Sequence, residues 1–370
     1  MTSVREASAT ELERWDDLTV RVPGGHVYQS RAWADHRAAQ GWRPRHLMVD
    51  DAHAALVLER PWPIVGGAGA YIPRGPVVGP GGSAAAIERV AAITTWLGAH
   101  GVDVVATDAE VPASDRAYGE GLVRRGFHAI PDIQPSRHRI SLALARDTDD
   151  GAVRAGLTKS TRQRVDGAER DGIVVIRHDR AGWAGSQPLF QPAATPVADT
   201  LATFADLLTA AGRRLGFRFG PREAFLAWWQ AAHAAGYLVY LEARTEAEPE
   251  RTLGGLILYR HGERLTTVHS ADAEGVRDTH PGVMHLLRWR AIQLAVREGC
   301  AEMDLGGVDV GPDHREPAAG EPLAGLYEHK RSFGASWVAM AGAHERVIRP
   351  WRYGLGRVSS TVIRRVGRSG

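Results

Sequence analysis

The sequence predicts an α/β chain of two successive domains, each a mixed sheet covered by helices. Three observations carry that reading. At 370 residues the chain is two to three times the ~100–200 of a common domain, so two domains are the expectation. Helical segments alternate with strand-like segments, and some strands are joined by short polar turns, which calls for sheets with both parallel and antiparallel neighbours. One order of elements also occurs twice: helix, Gly, strand, turn, strand, loop, helix, Gly, strand, Asp. A composition of 44% hydrophobic and 24% charged residues supports buried cores and excludes a disordered chain.

In the first half, residues 29–40 read as a helix with Trp33, Arg37 and Gln40 on one face, stopped at Gly41 as by a C-cap glycine. Residues 42–49 and 54–59 are apolar enough for strands, with Asp50 and Asp51 as the turn between them. A Pro/Gly-rich stretch, Tyr71-Ile72-Pro73-Arg74-Gly75-Pro76, leads to a helix over 84–100 with Ile87, Val90, Ile93 and Leu97 at helical spacing, ended by Gly101. A strand over 102–107 then delivers Asp108. The second half repeats the order, with a helix over 223–235 stopped by Gly236 and strands over 237–243 and 252–259. After His280-Pro281-Gly282 come a helix over 283–297, Gly299, and a strand over 300–303 delivering Asp304. The Pro-containing, nearly uncharged segment 182–200 reads as a long loop near the boundary, and no charged heptad run announces a coiled-coil arm. The expected domains are 1–155 and 156–340, followed by a basic segment, 341–370.

Several chemistries drop out at this level. The single cysteine, Cys300, can form neither a disulfide within the chain nor a cysteine zinc site, which fits a reducing cytoplasm. The first residues lack the basic-then-apolar order of a signal peptide, and no apolar run reaches the ~18 residues of a spanning helix. None of the sixteen histidines stands at a ligand spacing, so no metal is expected, and no Gly-x-Ser-x-Gly elbow signals a covalent intermediate. Only two of the 45 basic residues are lysine, Lys159 and Lys330. After Glu345 there are seven arginines and no acid, so a net charge of +2 conceals a body of −5 and a tail of +7. Leu355, Val358, Val362 and Val366 in that tail approach a helical stripe, which suits contact with an anionic membrane face, with tRNA, or with solvent alone.

The repeated order of elements resembles the fold of the GCN5-related N-acetyltransferases (GNAT), used twice in tandem. That resemblance implies an acyl-CoA loop, Gln/Arg-x-x-Gly-x-Gly/Ala, whose amides and following helix N-terminus cradle pyrophosphate. Before the second-half helix stands Arg277-Asp278-Thr279-His280-Pro281-Gly282 instead, in which Pro281 has no N–H and one glycine remains. The first-half counterpart, Val78-Gly79-Pro80-Gly81-Gly82-Ser83, lacks the motif order. The fold suggests acyl transfer while the usual CoA loop is missing.

A narrower resemblance rests on motifs in one order: Gln29-Ser30-x-x-Trp33, Gly41-Trp42, Tyr71-Ile72-Pro73-Arg74-Gly75-Pro76, Thr161-Arg162-Gln163-Arg164 with Ala168-Glu169-Arg170-Asp171-Gly172, Arg214-Leu215-Gly216-Phe217, Asp304-Leu305-Gly306-Gly307-Val308, and Lys330-Arg331-Ser332-Phe333-Gly334. Spanning about residues 26 to 340, they resemble the FemABX family of peptidoglycan bridge-forming aminoacyltransferases. The resemblance implies tandem acetyltransferase-like domains, with the C-terminal segment packing back near the first, that transfer an amino acid from aminoacyl-tRNA to the stem peptide of UDP-MurNAc-pentapeptide or lipid II. Aminoacyl-tRNA is then a co-substrate, and no cofactor is expected.

By that resemblance Arg37 stands where the family usually has a lysine on the precursor's diphosphate, and Arg214 matches a second phosphate-binding arginine; a guanidinium fork suits phosphate oxygens. Asp108 matches the acid beside the acceptor amine, where a carboxylate can take the ammonium's proton. Lys330 matches a lysine near the tRNA acceptor end, where an ammonium can offset phosphates and the oxyanion developing on the ester. Tyr71, Arg74, Asp304 and Ser270 fall on segments implied to shape the acceptor site. Lys159, Arg162 and Arg164 form a basic window suited to tRNA and equally consistent with a solvated helix face. The chain departs from the family at Thr266 to Ser270, Met303 and His329, where aromatic residues are usual. The insertion 310–325 reads as a lid. These departures leave open tRNA-dependent transfer to a different amine, such as a peptide natural product, alongside CoA-dependent N-acyl transfer and a noncatalytic binding role.

Overall fold

A computed structural model describes residues 2–79, 81–134, 137–179, 189–192, 196–216, 220–308, 310–311 and 314–366. The chain forms two compact units, residues 1–137 with 339–370 and residues 138–338. The first unit holds a seven-stranded sheet in the order Val4–Glu6, Arg43–Val49, His53–Pro61, Ala68–Ile72, Val102–Thr107, His344–Val347, His128–Ala129. The second holds an eight-stranded sheet in the order Ser336–Ala339, His138–Ala143, Glu302–Asp304, Arg264–Asp272, Gly254–His261, Leu238–Thr245, Ile173–Asp179, Gln191–Pro192.

The two sheets share one plan. Three antiparallel strands are followed by a crossover helix and a strand parallel to the third, so that Ile72 pairs with Thr107 in one sheet and Thr266 with Asp304 in the other. Each crossover helix, Gly82–Ala99 and Val283–Arg297, buries an apolar face on its sheet. In the first, Ile93 and Leu97 meet Leu47, Val57, Ile72 and Val105; in the second, Leu286, Leu287 and Ile292 meet Leu241, Leu256, Leu265 and Met303. Both helices are closed by a glycine with a positive φ, Gly101 at 92° and Gly299 at 67°, a conformation other residues adopt only with strain.

The units divide at 137/138 and 338/339, whereas the sequence reading places its boundaries at 155/156 and 340/341. Strand pairing accounts for the difference. His138–Ala143 lies antiparallel to Glu302–Asp304, and His344–Val347 lies antiparallel to Val102–Thr107. Each sheet is thus completed by a strand from the other half of the sequence, and the segment carrying the basic tail joins the first unit. Periodicity also misses the strand Ala68–Ile72, whose Ala-Gly-Ala start has little strand propensity and is held by partners on both sides. Of the segment 182–200, residues 182–188 and 193–195 lie outside the described residues; Gln191–Pro192 is a strand, and Val197–Leu215 is a helix.

Candidate functional site

In the first unit, Ala68–Ile72 and Val102–Thr107 run parallel and end together, placing Tyr71 and Asp108 side by side. The Tyr71 hydroxyl donates to Asp108 Oδ2 at 2.8 Å, and the Arg74 backbone N–H donates to Oδ1 at 2.6 Å. The Arg74 Nε lies 3.7 Å from Oδ2. Burial pushes the Asp108 carboxyl above its ordinary value, against the opposing pull of the Arg74 guanidinium, the Arg74 N–H and Tyr71.

The Gln-Ser motif explains why Arg74 sits there. Buried Gln29 accepts from the Leu56 N–H at 2.7 Å and donates to the Pro73 carbonyl at 2.7 Å, fixing the loop that carries Arg74. Ser30 caps the helix Arg31–Ala38 by accepting from the Trp33 N–H at 3.0 Å. That helix carries Arg37, whose guanidinium lies 5.4 Å from the Trp33 ring centre and 5.0 Å from that of Trp42, while Nη1 donates to Gln40 at 2.7 Å. Among the described residues no carboxylate pairs with it, and burial together with nearby Arg60 lowers its proton affinity. Tyr28, stacked on Trp33 at 4.3 Å, feels the charges of Arg37, Arg74 and Asp108 together. The first unit therefore gathers Arg37, Tyr71, Arg74 and Asp108. Tyr28 belongs with them and was not singled out in the sequence; an aromatic residue directly before the Gln-Ser pair is the signal it offered. The cleft at Arg74, Asp108, Gln134 and Arg137 holds only about 10 Å³.

The second unit is open where the first is filled. A cavity of about 1380 Å³ lies at the start of the helix Val283–Arg297, with Thr161, Arg164, Ser270, Arg277, Arg288 and His329 among its walls. The segment read as a lid supplies a further wall through Arg315, Glu321 and Leu323; Arg315 pairs with Glu321, and the Tyr327 hydroxyl donates to Glu316.

The loop before this helix cannot offer a run of amides to a phosphate. The N–H groups of Thr279, His280 and Val283 are spent on Gly275, Val276 and His280 carbonyls, and Pro281 has none. Gly282 packs so close to the helix Lys159–Arg170 that a Cβ there would stand 2.4 Å from the Arg164 carbonyl oxygen. Cationic side chains stand in the amides' place. Arg288 is buried, donates from Nε to His329 Nε2 at 2.8 Å, and its Nη1 has no partner among the described residues. Burial lowers its pKa to about 10. His329 and His285 lie 3.2 Å apart through their ring nitrogens; burial, with neighbouring arginines, lowers them to about 2 and about 4, so both are neutral near pH 7.

The remaining sequence candidates fall into three positions. Arg214 donates to buried Asp272 at 3.0 Å, sharing that carboxylate with Arg277. Asp304 accepts from the Gly306 N–H at 2.8 Å and is raised to about 6 by burial. Buried Lys330 donates to the Gly306 carbonyl at 2.9 Å and the Gly307 carbonyl at 2.7 Å, and its pKa is driven well below the usual ammonium value by burial and then by Arg288. Asp304 and Lys330 thus hold one glycine turn, while their neighbours His329 and Ser332 face the cavity. Of the basic window, Arg164 lines the cavity, Arg162 donates back to the Leu157 carbonyl, and Lys159 is exposed.

Residues 159–331, which include much of the cavity wall, match the family model of the acetyltransferase (GNAT) domain. The whole chain superposes on FemX with a TM-score of 0.73 at 17% identity, covering 95% of this chain and 99% of FemX. The fold is FemABX-like. L-PGS from Bacillus licheniformis follows with a TM-score of 0.50 at 12% identity, covering 98% of both chains. A tandem GNAT protein from the clavulanic acid biosynthesis pathway also gives 0.50 at 12% identity, covering 94% of this chain and 99% of its own. No curated protein sequence matches the chain significantly.

Proposed function

We propose that the protein transfers an amino acid from aminoacyl-tRNA to an amine of a peptidoglycan precursor stem peptide. The observation that carries the donor half of this reading is the cavity of about 1380 Å³ at a helix start where the Thr279, His280 and Val283 amides are spent and Pro281 has none, with Arg164, Arg277, Arg288 and Arg315 among its walls. Such a site suits a polyanionic donor held by side-chain forks better than a CoA pyrophosphate held by backbone amides. The FemABX-like fold and the arginine-held, aromatic-flanked first-unit site favour the precursor as acceptor, and both substrates place the enzyme in the cytoplasm.

The reaction needs a neutral amine. The acceptor nitrogen attacks the ester carbonyl, the new C–N bond forms, the ester C–O bond breaks, and the tRNA hydroxyl leaves with a proton. Asp108 receives the proton lost by the amine; burial makes it a stronger base than a solvated carboxylate, and Tyr71 and the Arg74 N–H hold its two oxygens in place. Arg37 and Arg214 contribute phosphate-binding guanidinium groups, Arg214 from its seat on Asp272. Lys330 acts by holding the Gly306–Gly307 turn with Asp304 beside the cavity wall. The ester is already activated, so positioning two bound substrates supplies much of the rate.

A second reading keeps the donor and changes the acceptor to the amine of a peptide natural product. It is favoured by Thr266 and Thr267, whose hydroxyls have no partner among the described residues, on the strand where the resembled family carries tyrosines. The test incubates the enzyme with charged total tRNA and either UDP-MurNAc-pentapeptide or lipid II, then measures added mass. An RNase-sensitive gain of one residue supports the proposal. Absence of product, or product that survives RNase and requires acyl-CoA, overturns it.

A further inference from the structure

The helix Pro350–Val366 has a role that the proposed chemistry leaves unused. Its inner face is fixed to the first unit. Arg349 and Arg352 reach the buried Asp103 carboxylate at 3.2 Å and 3.6 Å, Arg349 also donates to the Val102 and Gly98 carbonyls, and Trp62 donates to Asp103 from Nε1 at 3.0 Å. Gly356 lies against the Trp62 indole, and the Tyr353 hydroxyl donates to Glu345. Arg352, Tyr353 and Gly356 therefore mark the docked side.

A helix turns about 100° per residue, so Trp351, Leu355 and Val358 fall together on a different face. They are 68%, 50% and 64% exposed, among the largest exposed apolar side chains described. Ile64, two residues from Trp62 on the loop that packs against this helix, is 90% exposed. An apolar row held outward by a buried ion pair marks an interaction surface. Its setting is cationic: the seven arginines after Glu345 have no acid among them. No helix among the described residues is long and apolar enough to cross a membrane.

We propose that this helix lies flat on an anionic lipid bilayer, its Trp351, Leu355 and Val358 side chains in the headgroup and acyl boundary, drawn there by the positive charge that the sequence concentrates after Glu345. RNA would be served by the arginines and leave the apolar row in water. A second copy of the chain would bury the row and bring the two +7 segments together. An anionic bilayer satisfies both features at once. The docked face keeps the helix part of the folded unit, so contact brings the whole enzyme to the surface.

The experiment sediments the purified full chain with phosphatidylcholine vesicles and with vesicles of mixed phosphatidylcholine and phosphatidylglycerol. Binding to the mixed vesicles alone is expected, weakening as salt rises. The triple variant Trp351→Ser, Leu355→Ser, Val358→Ser is expected to lose about tenfold or more in vesicle affinity, with unchanged circular dichroism and unchanged transfer to a water-soluble acceptor. The variant Arg357→Gln, Arg364→Gln, Arg365→Gln is expected to lose binding to mixed vesicles as well. Wild-type protein that ignores anionic vesicles, or a triple apolar variant that binds them as tightly as wild type, overturns the proposal. A triple apolar variant that keeps vesicle binding but turns a dimer into a monomer assigns the face to a second copy, and one that loses only tRNA affinity assigns it to RNA; either also overturns it.

Discussion

Asp108 and Asp304 end equivalent strands of two sheets built on one plan, yet the protein treats them differently. Asp108 is held by a phenol, an amide and a guanidinium, next to a cleft of about 10 Å³. Asp304 is held by a turn amide, with Lys330 tied to the same turn, and the unit around it opens a cavity of about 1380 Å³. The arginines on the two crossover helices diverge in the same sense. Arg89 turns back onto the Val77 and Val78 carbonyls of its own loop, whereas Arg288 lines the cavity with an Nη1 that has no hydrogen-bond partner among the described residues. A shared sheet fixes where an acid and a helix start are placed; a few side chains around them decide whether the place becomes a filled site or an open one. The first unit thus keeps a buried, closely held acid, and the second keeps an open cavity.

The sharpest way to break that division is at the acids. Asp108→Asn removes the base and keeps an acceptor for only one of the two hydrogens that Tyr71 and Arg74 place on its separate oxygens, and steady-state transfer is expected to fall ~100-fold or more. Asp304→Asn is expected to fall far less, and equal losses would mean the two acids share one role. At the open site, Arg288→Met keeps length and removes charge. Its KM for charged tRNA is expected to rise about tenfold, the worth of a charge-assisted hydrogen bond, with kcat little changed.

Smaller effects are structural. Gly282→Ala drives a methyl into the Arg164 carbonyl and is expected to cost about 1–3 kcal/mol, read from urea unfolding. Asp304 is raised to about 6 from an ordinary 3.8, so between these values the folded chain binds more protons than the unfolded one. Its contribution to stability is therefore greatest at low pH and is lost as pH rises through about 6. Buried His285 and His329, lowered to about 4 and about 2, contribute the opposite slope, so urea melts from pH 4 to pH 7 are expected to show wild-type stability falling relative to that of Asp304→Asn as pH rises.

Much of this was legible in the sequence, for definite reasons. The crossover helices and their strands read out because apolar spacing and a terminal glycine mark them, and Asp108 and Asp304 follow from the strand ends. The Arg31–Ala38 helix and the Tyr71–Pro76 stretch read as motifs; that Gln29 ties one to the other needed the fold, because its partners Leu56 and Pro73 are distant in sequence. The strand exchange at His138–Ala143 and His344–Val347 was hidden, since pairing partners more than 150 residues away leave no local pattern. Arg288 looked like any helical arginine. Its burial depends on His329, which faces it from another helix.

One measurement bears on the division of labour most directly: charged-tRNA binding and single-turnover transfer, determined side by side for Asp108→Asn and Arg288→Met. The account predicts that Asp108→Asn binds charged tRNA as wild type does and fails to transfer, and that Arg288→Met binds it weakly but transfers at near wild-type rate once saturated. Transfer at the wild-type rate by Asp108→Asn, or undiminished binding by Arg288→Met, would contradict it.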